Sequence, residues 1–374
     1  MLKQLRIEGF KSIREMDLEL SSLNVLIGAN GAGKSNLISF FKLINEMMAG
    51  RLQDYIGRAG QAQSILHFGS KVSPQVQAKL EFLLESGTDT YEIRLFHAAS
   101  DTLIFAEETL SFLGENYDSP RIDGLGAGHK ESLLKQFSYG DDGLPTAKTL
   151  KYLLDRCRFY HFHDTSIDAG VRQSSYVEDK RFLMPSAENL PSMLLRFREE
   201  NHTVYARIVR TIQTIVPFFD DFDLVENSYN SRVILNWREQ GSDHIMGPHQ
   251  LSDGTLRVIC LITLLLQPEE EFPQLIVVDE PELGLHPSAL RIVAELFQAA
   301  ATQTQILIST QSSTFIDHFY PEDIIVVDRI LDNSKFSRWE SQFKRLDAED
   351  LKSWLEEYSL GEIWEKNIVG GGPL

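Results

Sequence analysis

The segment Gly28-Ala-Asn-Gly-Ala-Gly-Lys34-Ser35 constrains this chain more than any other stretch of it. It fits G-x-x-x-x-G-K-[ST], a loop whose glycines let backbone N–H groups turn inward around phosphate oxygens. The context agrees. Asn24-Val-Leu-Ile is a short apolar run, the mark of a strand buried on both faces. A helix is expected from Lys34 to about Met48, with its positive N-terminal end aimed at the same anion. Lys34 would reach the β- and γ-phosphates, and Ser35 would place a hydroxyl on Mg²⁺. Gly28, Asn30, Gly31, Gly33, Lys34, Ser35 and Asn36 are therefore the expected nucleotide-binding residues, with ATP and Mg²⁺ as the bound species.

A second acidic element sits far along the chain. Leu275-Ile-Val-Val-Asp279-Glu280 is four apolar residues ending in two acids. A buried strand of this kind delivers Asp279 to the C-terminal edge of an α/β sheet, where ligands bind. Asp279 is placed to hold Mg²⁺ through its water shell. Glu280, one residue on, points elsewhere and can polarise the water that attacks the γ-phosphate.

The rhythm of the chain supports a sheet of this kind. Residues 2–28 read as strands, and residues 76–112 as an antiparallel set: Lys79–Leu84, Tyr91–His97 and Thr102–Leu110. Residues 114–146, rich in Gly, Asp and Ser, read as loop. A helix near Thr146–Asp155 and a strand Arg158–His163 follow. Residues 186–216 read as helical, and a strand pair is expected between Asp223 and Trp237. The last third alternates: helix Asp253–Gln267, strand Gln274–Asp279, helix Pro287–Ala300, strand Gln305–Ser309, a short helix from Thr314 and a strand Asp323–Asp328. This is the signal of a parallel sheet. A helix around Asp347–Glu357 and a glycine-rich tail, Gly370-Gly371-Gly372, close the chain.

Leu251-Ser252-Asp253-Gly254-Thr255 opens one of these helices. Ser252 is a natural N-cap, and a helix N-terminus attracts anions. One phosphate loop is already complete, so a second phosphate site points to a second molecule.

With these segments in view, the chain resembles the ABC-type ATPases of the chromosome-maintenance (SMC) and RecF-like branch. Within that branch it is most similar to the OLD-like (overcoming lysogenisation defect) AAA-family ATPases of prokaryotes. The opening LRIEGFKSI and LSSLNVLIGANGAGKSNLI resemble the first strands and phosphate loop of that group. LSDGT resembles its signature, and VVDEPELGLHP its joined Walker B and D-loop. The resemblance covers about residues 1–50 and 245–374. It implies an α/β, ABC-type P-loop ATPase head with a mixed sheet, an antiparallel β subdomain and a helical insertion. The implied division is a first ATPase lobe over 1–164, an insertion over 165–245 and a second lobe over 246–374. It also implies that Ser252 and Gly254 touch the γ-phosphate held by a partner chain, so that ATP joins two subunits. The signature departs from LSGGQ, with Asp253 for the first glycine and Thr255 for the Gln. His286 would lie at the dimer seam, or would enter its helix and pack locally. The switch position, usually histidine, is Gln311, which hydrogen-bonds but carries no titratable proton. Slow hydrolysis is expected, with Glu280, Gln311 and Lys34 as the catalytic set.

The Q-loop residue, which contacts metal and water in this branch, falls on His163 or Asp164. The string His161-Phe-His163 also invites a metal reading, but no third ligand is evident nearby. About 60 residues follow Gln311, too few for the Toprim nuclease domain of OLD-like nucleases. Any nuclease, or other effector, would be a separate protein.

Composition narrows the partners. A net charge of -18 argues against broad, sequence-blind wrapping of nucleic acid, which needs a basic face. A local basic groove is compatible with it, and Arg196, Arg198, Arg207 and Arg210 share one helical stretch. A solvated helix face is the plainer reading of those four. No apolar run spans a membrane, and MLKQLRIEGF opens as a strand, so a cytoplasmic location is expected. Two cysteines cannot build a disulfide framework. The expectation is a homodimeric or larger ATPase switch in prokaryotic DNA maintenance or anti-phage defence, with DNA as a candidate ligand. Two other readings remain: a scaffold that binds ATP and barely hydrolyses it, and a transporter's ATPase subunit. The signature, Gln311 and EPELGLHP count against the transporter.

Overall fold

In the computed structural model, residues 1–139, 143–331 and 338–372 are described; part of the expected 114–146 loop lies outside them. Two six-stranded sheets carry the fold. The N-terminal strands are β1 (Leu2–Phe10), β2 (Ile13–Glu19) and β3 (Leu23–Ile27). Four longer or edge strands follow: β4 (Gln75–Leu84), β5 (Gly87–Ala98), β6 (Thr102–Gly114) and β7 (Arg121–Gly126). The strands β1, β2 and β4–β7 form an antiparallel sheet in the order β2-β1-β4-β5-β6-β7.

The second sheet is mixed. It joins β3 to β8 (Cys157–Tyr160) and to strands from the last third of the chain. Between these lie two short antiparallel pairs: β9 (Ser175–Tyr176) with β11 (Arg232–Val233), and β10 (Phe219–Asp223) with β12 (Asn236–Glu239). The remaining strands are β13 (Leu275–Asp279), β14 (Gln305–Thr310), β15 (Ile324–Leu331) and β16 (Trp339–Arg345). The order is β16-β15-β3-β14-β13-β8, parallel except for the edge strand β16.

The continuous apolar runs explain that central position. Along β3, β13, β14 and β15, alternate side chains enter two different cores. Val25, Ile276, Ile306 and Ile324 face the helices Leu190–Glu200, His202–Ile215, Asp253–Leu265 and Pro287–Ala300. Leu26, Val277, Leu307 and Ile325 face the phosphate-loop helix Lys34–Met48 and the antiparallel sheet. A parallel sheet covered on both faces is stable only with such runs. This is an α/β fold: a mixed sheet, an antiparallel β subdomain and helices packed on both faces.

Several local expectations are corrected. Residues 114–146 are not simply loop: β7 pairs with the far end of β6, and Leu134–Ser138 is a helix. Only Leu125 of β7 is buried, so its hydrophobic signal is nearly absent. The expected helix 186–216 is two helices, because the Asn201 side chain accepts from the Val204 N–H and restarts the chain at His202. The strand near residue 160 stops at Tyr160, leaving His161 and His163 in the loop beyond it. The expected strand pair begins earlier, at Phe219. Three of the four arginines are spent inside the fold. Arg196 pairs with Glu271, while Arg198 and Arg207 donate to the carbonyls of Leu224 and Leu266. No helix among the described residues is long and apolar enough to cross a membrane.

Candidate nucleotide site

The phosphate loop leaves the end of β3 and curls into the helix Lys34–Met48. Gly31 and Gly33 have φ of 79° and 125°, where side chains are strained. Gly33 has a second constraint: a Cβ there would lie 2.0 Å from the Ser341 hydroxyl. Ser341, on β16, donates to the Ala32 carbonyl and hydrogen-bonds Ser12, to which the Asn36 amide also donates. The Ala29 N–H donates to the Gly371 carbonyl at 2.7 Å, so the glycine-rich tail props the loop from outside. Among the described residues, no backbone group accepts from the amides of Gly31, Gly33, Lys34 or Ser35. They form a cradle of donors at a helix N-terminus, the geometry that holds phosphate.

Lys34 is only 4% exposed. Its ammonium donates to the carbonyls of Gly28 and Ala29. Burial pushes its pKa below the usual lysine value; the carboxylates of Glu280, Asp279 and Glu282 pull the other way. Such a lysine gains from an arriving phosphate.

Both acids stand at the end of β13, as the sequence implies. Glu280 holds a left-handed backbone, φ 43°, fixed by its N–H donating to Ser309 at 2.8 Å. A non-glycine residue in that region stores strain, which is common at reactive sites. The Gln311 amide donates to the Glu280 carboxylate, which brings the switch position at the end of β14 onto the candidate base. Glu282 ties the two strand ends together. Its Oε1 accepts from the Thr310 hydroxyl at 2.6 Å and from the Gln311 N–H at 3.1 Å. Burial, and the charge of Glu280, push the Glu282 carboxyl upward.

Of the two Q-loop candidates, one reaches this edge. His163 Nε2 donates to the Asp279 carbonyl at 2.9 Å. Asp164 turns away, accepting from the N–H and hydroxyl of Ser166. No cluster of three His, Cys, Asp or Glu suited to a metal occurs among the described residues. The oxygen donors Ser35 and Asp279 suit a hard cation such as Mg²⁺, which is held by few protein oxygens and several waters.

Ser252 and Gly254 line a separate cavity of about 190 Å³ with Phe218, Gly284 and His286. Ser252 caps the helix Asp253–Leu265, accepting from the Thr255 N–H at 3.1 Å. Asp253 is turned from that helix end and held by Arg172 at 2.8 Å. Hydrogen bonds from Thr165 and Arg172 hold its carboxyl below the usual range. Its charge is thus compensated within the chain. His286 accepts from the Ser288 N–H and caps the helix Pro287–Ala300, so it serves as the first turn's anchor.

Sequence reasoning missed two arginines. Arg172, 5% exposed, donates to the carbonyls of Thr165, Pro248 and Leu251 besides Asp253, and so fixes the signature turn. Nothing in its loop sequence marks it. Arg257 donates to the carbonyls of Phe162, His163 and Leu283 at 3.1, 2.8 and 3.0 Å. One side chain thus links the signature helix, the His163 loop and the D-loop. A lone arginine in the otherwise apolar run Leu256–Leu266 was the available signal. Hydrogen bonds from a charged donor are worth about 1.5–3 kcal/mol each. Arg257→Leu is expected to leave a folded protein whose kcat for ATP falls at least about tenfold with KM little changed. Steady-state ATPase kinetics would check this; a lowered melting temperature with kcat intact would make the residue purely structural.

A family model described as "AAA domain, putative AbiEii toxin, Type IV TA system" matches residues 23–317. No curated protein matches the chain. Among solved structures, it is similar to an Smc head bound to the C-terminal winged-helix domain of ScpA. Identity is 14% and the TM-score 0.60, over 94% of this chain and 99% of that one. It is similar in the same degree to an Smc head with an extended coiled coil bound to the C-terminal domain of ScpA, derived from Pyrococcus furiosus. There identity is 14% and the TM-score 0.60, over 95% of this chain and 98% of that one. At such identity the likeness is one of fold.

Proposed function

The chain belongs to this AAA-domain family, and on that premise we propose that it is an ATP-hydrolysing switch that closes as a dimer around nucleotide. One observation carries the reading. The phosphate cradle, the acids at the end of β13 and the amide at the end of β14 share one sheet edge, with Gln311 donating to Glu280.

In this reading ATP lies along the cradle, and its β- and γ-phosphates take Lys34 from the carbonyls of Gly28 and Ala29. Ser35 and Asp279 would hold Mg²⁺, which would neutralise charge on the phosphates. Glu280 takes the proton of the attacking water, and Gln311 orients water and base together. With no proton to exchange at the switch, turnover is slow. His163 serves as the Q-loop residue by steadying Asp279. Ser252 and Gly254 of one chain close on the γ-phosphate bound by the other. Asp253 is compatible with this because Arg172 already holds it. Residues 1–164 and 246–374 make the two ATPase lobes, with 165–245 as the insertion.

The base of ATP finds a place beside the cradle. A cavity of about 470 Å³ is lined by Lys11, Ser12, Asn36, Gln63, Phe68 and Arg329. Phe68 is 47% exposed, large for an aromatic side chain with no core role. Its ring, with the Arg338 guanidinium 5.5 Å from its centroid and His67 against it at 4.7 Å, is the stacking partner in this reading. Stacking a base on an aromatic ring contributes about 1–3 kcal/mol. Phe68→Ala should therefore raise the Kd for ATP at least about fivefold without altering the Mg²⁺ requirement. Titration with a fluorescent ATP analogue would read this, and an unchanged Kd would move the base elsewhere.

The cycle serves, in this proposal, a sensor or regulator in prokaryotic defence or DNA maintenance, acting through a separate effector such as a nuclease. Membership of a family linked to a type IV toxin–antitoxin system supports the defence setting. The test is to purify the chain with its genomic neighbours and measure mass and ATPase rate with and without duplex DNA. A stable complex with a neighbour, or DNA-stimulated turnover, supports the sensor. A lone dimer indifferent to DNA favours a nucleotide-gated scaffold.

A further inference from the structure

A cavity of about 680 Å³ contains no phosphate-loop residue in its lining. It opens between the second half of the helix Lys34–Met48, the helix Leu52–Arg58, the end of β8 and residues 182–185. Its size is that of a small-molecule site. Met48, Tyr55, Phe159, Phe182 and Leu183 give it apolar walls.

Its charges are unusual in a chain of net charge -18. Four cations line it: Lys42, Arg51, Arg58 and Arg158. Arg51 and Arg58 share Glu46, at 2.8 and 3.4 Å, and Asp155 is taken by Lys151. Lys42 and Arg158 instead lie over ring faces, 4.1 Å from the Phe159 centroid and 3.5 Å from that of Phe182. Arg158 also hydrogen-bonds Tyr160. Burial lowers the pKa of both cations. Beside them His161 stacks on Phe159 at 5.2 Å, and its Nδ1 is enclosed with no hydrogen-bond partner. Enclosed polar atoms are nearly always satisfied in folded proteins. Two partly desolvated cations with no ion-pair partner among the described residues, Lys42 feeling only the more distant Asp279 carboxylate, suit an anion rich in acceptor oxygens.

We propose that this cavity binds a nucleoside phosphate, with its phosphate on Lys42 and Arg158 and its base against the Tyr55 and Phe182 side. Occupancy regulates the ATP site, a clause that rests on the ATPase reading above. Lys42 lies on the helix that begins at Lys34. Two residues beyond His161, His163 holds the carbonyl of Asp279. A ligand seated on Lys42 and Arg158 packs beside His161 and so bears on the loop that steadies the strand end carrying the catalytic acids.

The test uses the full chain with its ATP site first saturated by Mg²⁺ and a non-hydrolysable ATP analogue. AMP, ribose 5-phosphate and inorganic phosphate are then titrated separately by calorimetry. AMP should bind once per chain and more tightly than the other two. Arg158→Leu and Lys42→Met should each weaken it about ten- to a hundredfold. In the unmodified chain without the analogue, AMP should change the ATP turnover rate at least twofold, and the two variants should lose that response. Failure of AMP to bind overturns the site, as does unchanged affinity in both variants when their circular dichroism spectra match the parent's. Binding without any change in turnover overturns the regulatory clause. A chain with no turnover before AMP is added refutes the ATPase reading, and the calorimetry still decides the cavity.

Discussion

Glu280→Gln is expected to slow ATP turnover about a hundred- to ten-thousandfold, the range for removing a positioned general base. The substitution keeps the shape and the hydrogen bond, since a Gln side-chain oxygen still accepts from Gln311. It removes the group that takes the proton from water. The strained backbone at Glu280, φ 43°, is anchored through its N–H to Ser309 and needs no carboxylate. Folding and nucleotide binding should therefore survive, and ATP should persist between the phosphate cradle of one chain and Ser252 of the other. Single-turnover hydrolysis and light scattering with ATP and Mg²⁺ would measure both effects. A variant that stays monomeric at saturating ATP defeats the two-chain reading. Turnover at the parent rate removes Glu280 as the base and shifts attention to Glu282.

What the sequence revealed and what it hid follow from the range of the interactions. The strands β3, β13, β14 and β15 were legible because a sheet covered on both faces demands unbroken apolar runs, and such runs are local. The phosphate loop and the Asp279–Glu280 pair were legible for the same reason: each site is one short segment between a strand and a turn. The edge strands β7 and β16 were not, because an edge strand buries little; β16 buries Ser341 alone. The break at Asn201 is a single side-chain hydrogen bond inside an otherwise helical stretch. Arg172 and Arg257 act across 81 and 94 residues of sequence, and no local pattern encodes a contact of that span. The tail that supports Ala29 was visible as three glycines, but nothing in them pointed to a loop at the other end of the chain.

Lys34→Ala is expected to abolish measurable nucleotide binding. The ammonium is buried in a site that also holds Asp279, Glu280 and Glu282 near enough to raise its pKa against burial. ATP adds further negative charge to that neighbourhood. Without Lys34, the phosphates meet three carboxylates with the buried ammonium that offsets them removed. Charge-assisted hydrogen bonds contribute about 1.5–3 kcal/mol each, so losing two of them to the β- and γ-phosphates weakens ATP about 10²–10⁴-fold. The fold itself should tolerate the change, because the lysine's present partners are the carbonyls of Gly28 and Ala29, which water can reach once the side chain is truncated. A melting experiment separates these effects. ATP at a hundred times its Kd stabilises a folded protein by about 2.7 kcal/mol, and a hundredfold loss of affinity removes most of that gain. The parent should therefore melt several degrees higher with ATP and Mg²⁺ than without, and the variant should melt at one temperature in both. An ATP-induced rise retained in Lys34→Ala would mean that nucleotide is held somewhere other than the cradle, and the phosphate-loop assignment would fall with it.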